Sequence, residues 1–412
     1  MARYHVCMVL VGKLPVPATL GGAVEALAQH LLEQNERDPQ IEFTVLTVDE
    51  PKARAQAAGF RHAKFVWFKP HTLWNKVWWR VRTLALNRTG EQKELPFPYQ
   101  RVEAAAWLKR HGQEFDYVLA ESELEMIRQA QVPPEKVLYH LHWVGRPTPW
   151  RDAQFGQLLA VSCFVGDGWQ EKSGCPAGKI SVWPNCAALD TFAQRLSEEE
   201  RAALRKTLGI GPEDFAIVYC GRMVPLKGVK ELLLAMQKLP RRAVLVAVGS
   251  TNFGLSTKES YEQELYTLAQ QGGSRVVFTG FVHNTELWRY YALADAVCMP
   301  TIGQEAAGLV AVEAMASGRP VVATRSGGIP EYVPPEAGLL VPVTPNLPED
   351  LASALRTLMD DPARCRAMGL AGERAAQAYS PQQYYQNFVF ILDGLTEREE
   401  ERRKQSWKIH AQ

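Results

Sequence analysis

Thr301–Val333 reads TIGQEAAGLVAVEAMASGRPVVATRSGGIPEYV, and the fold is read outward from it. Gly308 precedes an apolar run, LVAVEAMA, long enough for two helical turns. Gly318-Arg319-Pro320 then breaks the helix, VVAT follows as a short buried strand, and Gly327-Gly328 ends the unit. This loop–helix–turn–strand order is the building block of a parallel α/β sheet. Glu305 and Glu313 stand eight positions apart and would share one face of a continuous helix. Two glutamates so spaced are ordinarily a solvated helix face. The glycine between them favours another arrangement, with Glu305 closing a loop and a helix opening near Gly308 and Leu309. The unpaired N–H groups of such a helix start suit phosphate oxygens, and Glu313 one turn inside suits a ribose diol.

Short apolar runs alternate with helical patterns on both sides of this stretch. Val6–Val11, Phe43–Val48, Tyr117–Leu119, Val137–Leu141, Leu158–Val161 and Ile180–Trp183 come first. Ala216–Cys220, Ala243–Val248, Val276–Phe278, Ala296–Met299 and Pro320–Ala323 follow a charged break at Ala187–Pro212. Continuous apolar strands with helices between them are buried on both faces and run parallel. The expectation is therefore α/β: two doubly wound, Rossmann-like domains at 1–190 and 212–380 joined by a short connector. The amphipathic, aromatic segment PQQYYQNFVFILDGL from Pro381 is a last helix, followed by a charged tail.

Bulk properties narrow the function. A net charge of +1 over 412 residues gives no global bias toward nucleic acid, so none is expected as a partner. Seven scattered cysteines without a C-x-x-C pair argue against a disulfide framework or a zinc site and fit a reducing cytoplasm. The apolar run Val6–Val11 is too short for a signal-peptide core, and no stretch approaches the roughly 18 apolar residues of a spanning helix.

The quoted stretch resembles the signature of glycosyltransferase family 4, approximately P-S-x-x-E-G-F-G-x-x-x-x-E-A-M-A-x-G-x-P-V-V followed by G-G-x-x-E. Glu305, Gly308, Glu313, Ala314, Met315, Ala316, Gly318, Pro320, Gly327, Gly328 and Glu331 match it; Pro300 stands one position further upstream than the pattern has it, and Thr301 and Ala306-Ala307 depart from it. The resemblance implies the GT-B fold, two domains facing across a cleft with a C-terminal helix (381–405) crossing back to the first. It also implies a retaining transfer of sugar from a nucleotide diphosphate, with uridine as the base because it is common in the family. The acceptor would be a glycan, a lipid-linked molecule or a small molecule.

Further motifs extend the likeness. Gly221-Arg222 followed by Lys227-Gly228 resembles the family's G-R-x-x-x-x-K-G, which gives Arg222 and Lys227 the leaving diphosphate. Thr279–His283 resembles a segment whose backbone near Val282 meets the base. Gly21-Gly22 resembles the loop that approaches the donor phosphates. Tyr139–Trp143 ends a strand where the family often carries a histidine near the sugar; by position this is His142, with His140 second. Val182–Cys186, containing Asn185, resembles the V-I-P-N-G-V-D run before the interdomain linker. The resulting catalytic set is Arg222, Lys227, Glu305 and His142. The donor set is Gly21, Gly22, Val282, Gly308, Leu309 and Glu313. No cofactor or metal is expected, because no D-x-D occurs and the two cations substitute for one.

Arg61–Arg88 holds seven Lys/Arg, no acid and four tryptophans. It reads either as a core helix with solvated cations or as an interfacial helix on an anionic membrane, which would make the protein peripheral to the inner face. Two rival functions fit the same motifs: a nucleotide-sugar epimerase, or a non-catalytic nucleotide-sugar-binding or coat-assembly protein.

Overall fold

The computed structural model describes residues 2–69, 99–121, 124–250 and 260–410. The chain divides into two compact units: residues 1–161, 166–183 and 384–412, and residues 162–165 and 184–383. In the first, β1 (Tyr4–Leu10), β2 (Ile41–Val48), β3 (Ala63–Phe68), β4 (Tyr117–Glu121), β5 (Val137–Leu141), β6 (Gln157–Ala160) and β7 (Ile180–Val182) form one parallel sheet. Its order is β3-β2-β1-β4-β5-β6-β7. In the second, β8 (Phe215–Cys220), β9 (Ala243–Val248), β10 (Arg275–Gly280), β11 (Ala296–Met299), β12 (Val321–Thr324) and β13 (Gly338–Val341) pair in parallel as β10-β9-β8-β11-β12-β13.

The strands are parallel because they are apolar on both faces: all six residues of β9, AVLVAV, are buried. In each sheet the strand order reverses once, between β1 and β4 and between β8 and β11. Such switch points leave a crevice at the carboxyl ends of the strands, where doubly wound sheets bind ligands.

The first unit closes through its termini. Helix Ala23–Arg37 is locked to β2 by buried Asn35, whose amide donates to Ile41 O (2.7 Å) and accepts from Ile41 N (3.0 Å). Trp183 is fully buried, donates to Tyr384 O at 2.9 Å, and stacks on Tyr384 and Phe388 of helix Pro381–His410. Tyr385 Oη donates to Asp38 O at 2.6 Å, and Arg3 pairs with Asp393. The charged segment after Leu395, expected as a tail, continues this helix.

Residues 187–212, expected as a connector, belong instead to the second unit. Helix Glu198–Thr207 starts on a capping box between Ser197 and Glu200. Arg201 and Arg205 of this helix both bind Asp295, at 2.7 and 3.0 Å. A charged run reads as solvated when its partner lies some ninety positions away in the chain.

Of the basic aromatic stretch, Trp74, Trp78, Trp79 and their neighbours lie outside the described residues. Trp67 is on β3, stacked on Phe65 with the Arg54 guanidinium 5.0 Å from its ring centre. Among the described residues, no helix is long and apolar enough to cross a membrane.

Candidate functional site

In the second unit, residues from four loops meet at the carboxyl edge of the sheet. The loop after β8 carries Arg222, exposed, then turns at Pro225–Lys227. Gly228 follows at φ +69, and a Cβ there would lie 1.8 Å from Pro300 O, so only glycine lets the turn seat against the end of β11. Ile302 and Gly303 N–H then donate to Leu226 O at 3.0 and 2.9 Å. This stitching delivers Lys227 Nζ to Glu305 Oε2 in a short, part-buried ion pair. Glu305 is held from the other side, because Gly328 N donates to its carbonyl at 2.8 Å. Ser162 Oγ similarly donates to Ala306 O at 2.7 Å.

Glu305 therefore lies on a loop, and the helix Leu309–Ala316 starts four residues later. Gly308 at its N-cap offers no side-chain hydrogen bond, so the first-turn N–H groups have no cap from that residue. Glu313 is a full turn in, and Tyr291 Oη donates to its Oε2 at 2.6 Å. Burial pushes the Glu313 carboxyl up to about 7, and the tyrosine hydrogen bond opposes that only in part.

Beside these groups is a hollow of about 190 Å³. Gly221 and Arg222 line it from β8, Gly249 and Ser250 from β9, and Phe281 and Val282 from the end of β10. It is mostly apolar and carries one guanidinium in its lining, a suitable environment for a heterocycle attached to an anion. The structure thus brings Lys227 and Glu305 into contact, and places Arg222 and Val282 on one hollow and Glu313 near Cys220 at its rim.

In the first unit, His140 on β5 and His142 just beyond it converge on one carboxylate, Glu121, at the end of β4. His142 Nε2 lies 2.6 Å from Glu121 Oε2 and His140 Nδ1 3.1 Å from it. His140 is wholly enclosed and stacked on Trp183, and burial foremost pushes its imidazole down to about 4. Gly21 and Gly22 precede helix Ala23–Arg37, where Glu25 folds back so closely that a Cβ on Gly22 would meet its Oε2 at 2.1 Å. Asn185 is buried in the second unit, its backbone N–H donating to Tyr332 Oη at 3.1 Å.

Glu121, His140 and His142 are the one such cluster among the described residues that has metal-ligand composition. Donor atoms around a tetrahedral zinc stand about 3.3 Å apart, given bonds of about 2.0–2.1 Å. The 2.6 Å contact is instead a direct hydrogen bond, so the trio is closed on itself.

Sequence reasoning passed over Glu121 and Glu25. The available signal was a carboxylate at the carboxyl end of a buried strand, in register with His140 of the next strand. Tyr291 carried no signal of its own, because its contact with Glu313 depends on the packing of two helices.

Two doubly wound parallel units of this order are the GT-B fold. The solved structure of Anabaena Alr3699/HepE in complex with UDP matches 95% of this chain and 100% of that one, with TM-score 0.69 and 20% identity. A glycosyltransferase from Rickettsia africae ESF-5 matches 96% and 99% of the two chains, with TM-score 0.75 and 16% identity.

Residues 200–375, which lie within the second unit, match the family model described as glycosyl transferases group 1. The Salmonella typhimurium lipopolysaccharide 1,2-N-acetylglucosaminetransferase is 29% identical over 245 residues, 58% of this chain and 62% of that protein. A D-inositol 3-phosphate glycosyltransferase of Mycobacterium sp. (strain KMS) is 42% identical over 147 residues, 35% and 31% of the two. This chain thus spans between about a third and two thirds of the length of these curated relatives.

Proposed function

We propose that the protein is a retaining glycosyltransferase of family 4 that moves a hexosyl group from a UDP-sugar to a glycan, lipid-linked or small-molecule acceptor. The observation that carries this reading is the convergence, in the second unit, of the Arg222-rimmed hollow, the Lys227–Glu305 pair and the Gly308–Leu309 helix start. The base occupies the hollow against Val282, and Glu313 takes the ribose diol. Near pH 7 its carboxyl divides between donor and acceptor forms, and a diol can use both. Arg222, Lys227 and the first-turn N–H groups meet the diphosphate. Charge accumulates on that group as the glycosidic bond breaks, so fixed donors stabilise the transition state more than the bound donor.

Glu305 engages a sugar hydroxyl; in the first unit, Gly21 and Gly22 serve donor phosphates and His142 a sugar hydroxyl. With no carboxylate assigned as nucleophile, the acceptor attacks from the face the phosphate leaves, which retains the anomeric configuration. Positive side chains neutralise the leaving group, so turnover continues in EDTA. A complex of the related fold with UDP-glucose supports the choice of UDP.

We place the protein in the cytoplasm, with residues 61–88 read either as a core helix with solvated cations or as a peripheral contact with anionic membrane. Flotation that needs anionic lipid in the vesicles supports that contact, and no flotation with it rejects it. A thermal-shift screen against UDP-, GDP-, ADP- and dTDP-sugars tests the main reading. One donor should raise the melting temperature and then yield its nucleoside diphosphate on addition of acceptor. No stabilisation by any of them refutes it.

A further inference from the structure

Glu121, at the end of β4, is the register partner of His140 on β5, and His142 follows two positions later. The side chains of Glu121 and His142 are 4% and 7% exposed. Burial works against the charge on Glu121, yet the two histidines outweigh it and hold the carboxyl below its usual range. An ionised carboxylate only accepts hydrogen bonds, so the nitrogens facing it, His140 Nδ1 and His142 Nε2, both donate. His142 Nδ1 is enclosed and has no hydrogen-bond partner in the structure. Leaving a buried polar atom in that state is costly, and a ligand hydroxyl can relieve it.

Among the described residues, a further charged group that acts on the pair is Glu25, from the first turn of helix Ala23–Arg37. Burial foremost raises its carboxyl; the Glu121 charge adds to this and His142 opposes it. Two acidic side chains thus act on the imidazole, one of which holds it by a direct 2.6 Å bond.

We propose that Glu121 is a positioning residue: it holds His142 as the Nε2–H tautomer, so that Nδ1 accepts a hydrogen bond from a hydroxyl of the sugar. This rests on the reading of the chain as a sugar transferase and names a residue through which His142 acts. Glu121 contacts no ligand itself. Its part is to set which imidazole nitrogen carries the proton and to fix the plane of the ring.

Nitrogen-15 labelling of the histidines in the full chain tests this without any substrate. Long-range proton–nitrogen spectra at mildly alkaline pH, with His142 assigned by its loss in His142→Gln, give the tautomer directly. The wild type should show one pyrrole-type Nε2 and one pyridine-type Nδ1 for His142. Glu121→Leu should move both shifts toward a mixture, and Glu121→Ala, which likewise removes the acceptor, serves where the leucine variant does not fold. An Nδ1–H tautomer in the wild type, or an unaltered tautomer in the folded variant, overturns the proposal. With a donor in hand, Glu121→Leu should lower kcat about a hundredfold, the scale of a misplaced catalytic group, with KM changed far less. A wild type that turns over no nucleotide-sugar defeats the functional reading and leaves the tautomer result standing.

Discussion

Replacing Glu313 with glutamine should make the unliganded protein more stable above neutral pH and weaken it as a donor-binding protein. In the unfolded chain a glutamate titrates near its ordinary 4.5, whereas the buried carboxyl holds its proton to about 7. Between those values the folded state carries the extra proton, so stability falls as pH rises through the window and is lowest above it. At about 1.4 kcal/mol per pH unit the total is about 3 kcal/mol. Glutamine has the same shape and accepts the same hydrogen bond from Tyr291, so Glu313→Gln removes the penalty without opening a cavity. At about 2–4 °C per kcal/mol for a unit of this size, the melting temperature should rise by up to about 10 °C at pH 8. The gain should shrink to nothing near pH 4.5. Scanning calorimetry of both proteins across that range measures it. A gain independent of pH, or a loss at pH 8, would refute the assignment of a desolvated carboxyl. The reciprocal cost should appear as weaker donor stabilisation, the trade between stability and function expected of a strained binding group.

Lys227→Ala should weaken donor binding between roughly tenfold and a hundredfold, the worth of a charge-assisted hydrogen bond of about 1.5–3 kcal/mol; calorimetric titration against the wild type checks it. Gly228→Ala should destabilise the second unit by more than the roughly 1–2 kcal/mol of a left-handed backbone alone, because its Cβ would overlap Pro300 O; urea melts measure the loss. Trp183→Ala should cost the first unit about 3–5 kcal/mol, since it unstacks Tyr384, Phe388 and His140 together, and limited proteolysis should then release the C-terminal helix first.

Much of the second unit was legible because its information is local. Gly308 before an apolar run, Gly318-Arg319-Pro320 and VVAT mark a helix, a turn and a strand wherever they occur. The capped helix Glu198–Thr207 was legible in composition but was read as a linker. Its Ser197–Glu200 box was present in the letters, and only Asp295 shows that Arg201 and Arg205 face inward. Lys227 and Glu305 were each singled out, but their direct pairing follows from the loop stitched by Leu226 O.

By itself the sequence determined the two parallel sheets, since apolar runs with helices between them have one economical way to bury both faces. It also determined which loops end at the carboxyl edges. Only the tertiary structure decided the protonation of the site: that Glu313 keeps its proton toward neutrality and that Glu121 gathers two imidazoles. Those properties belong to desolvation and to partners brought from distant parts of the chain, and neither is written in any residue's immediate neighbours.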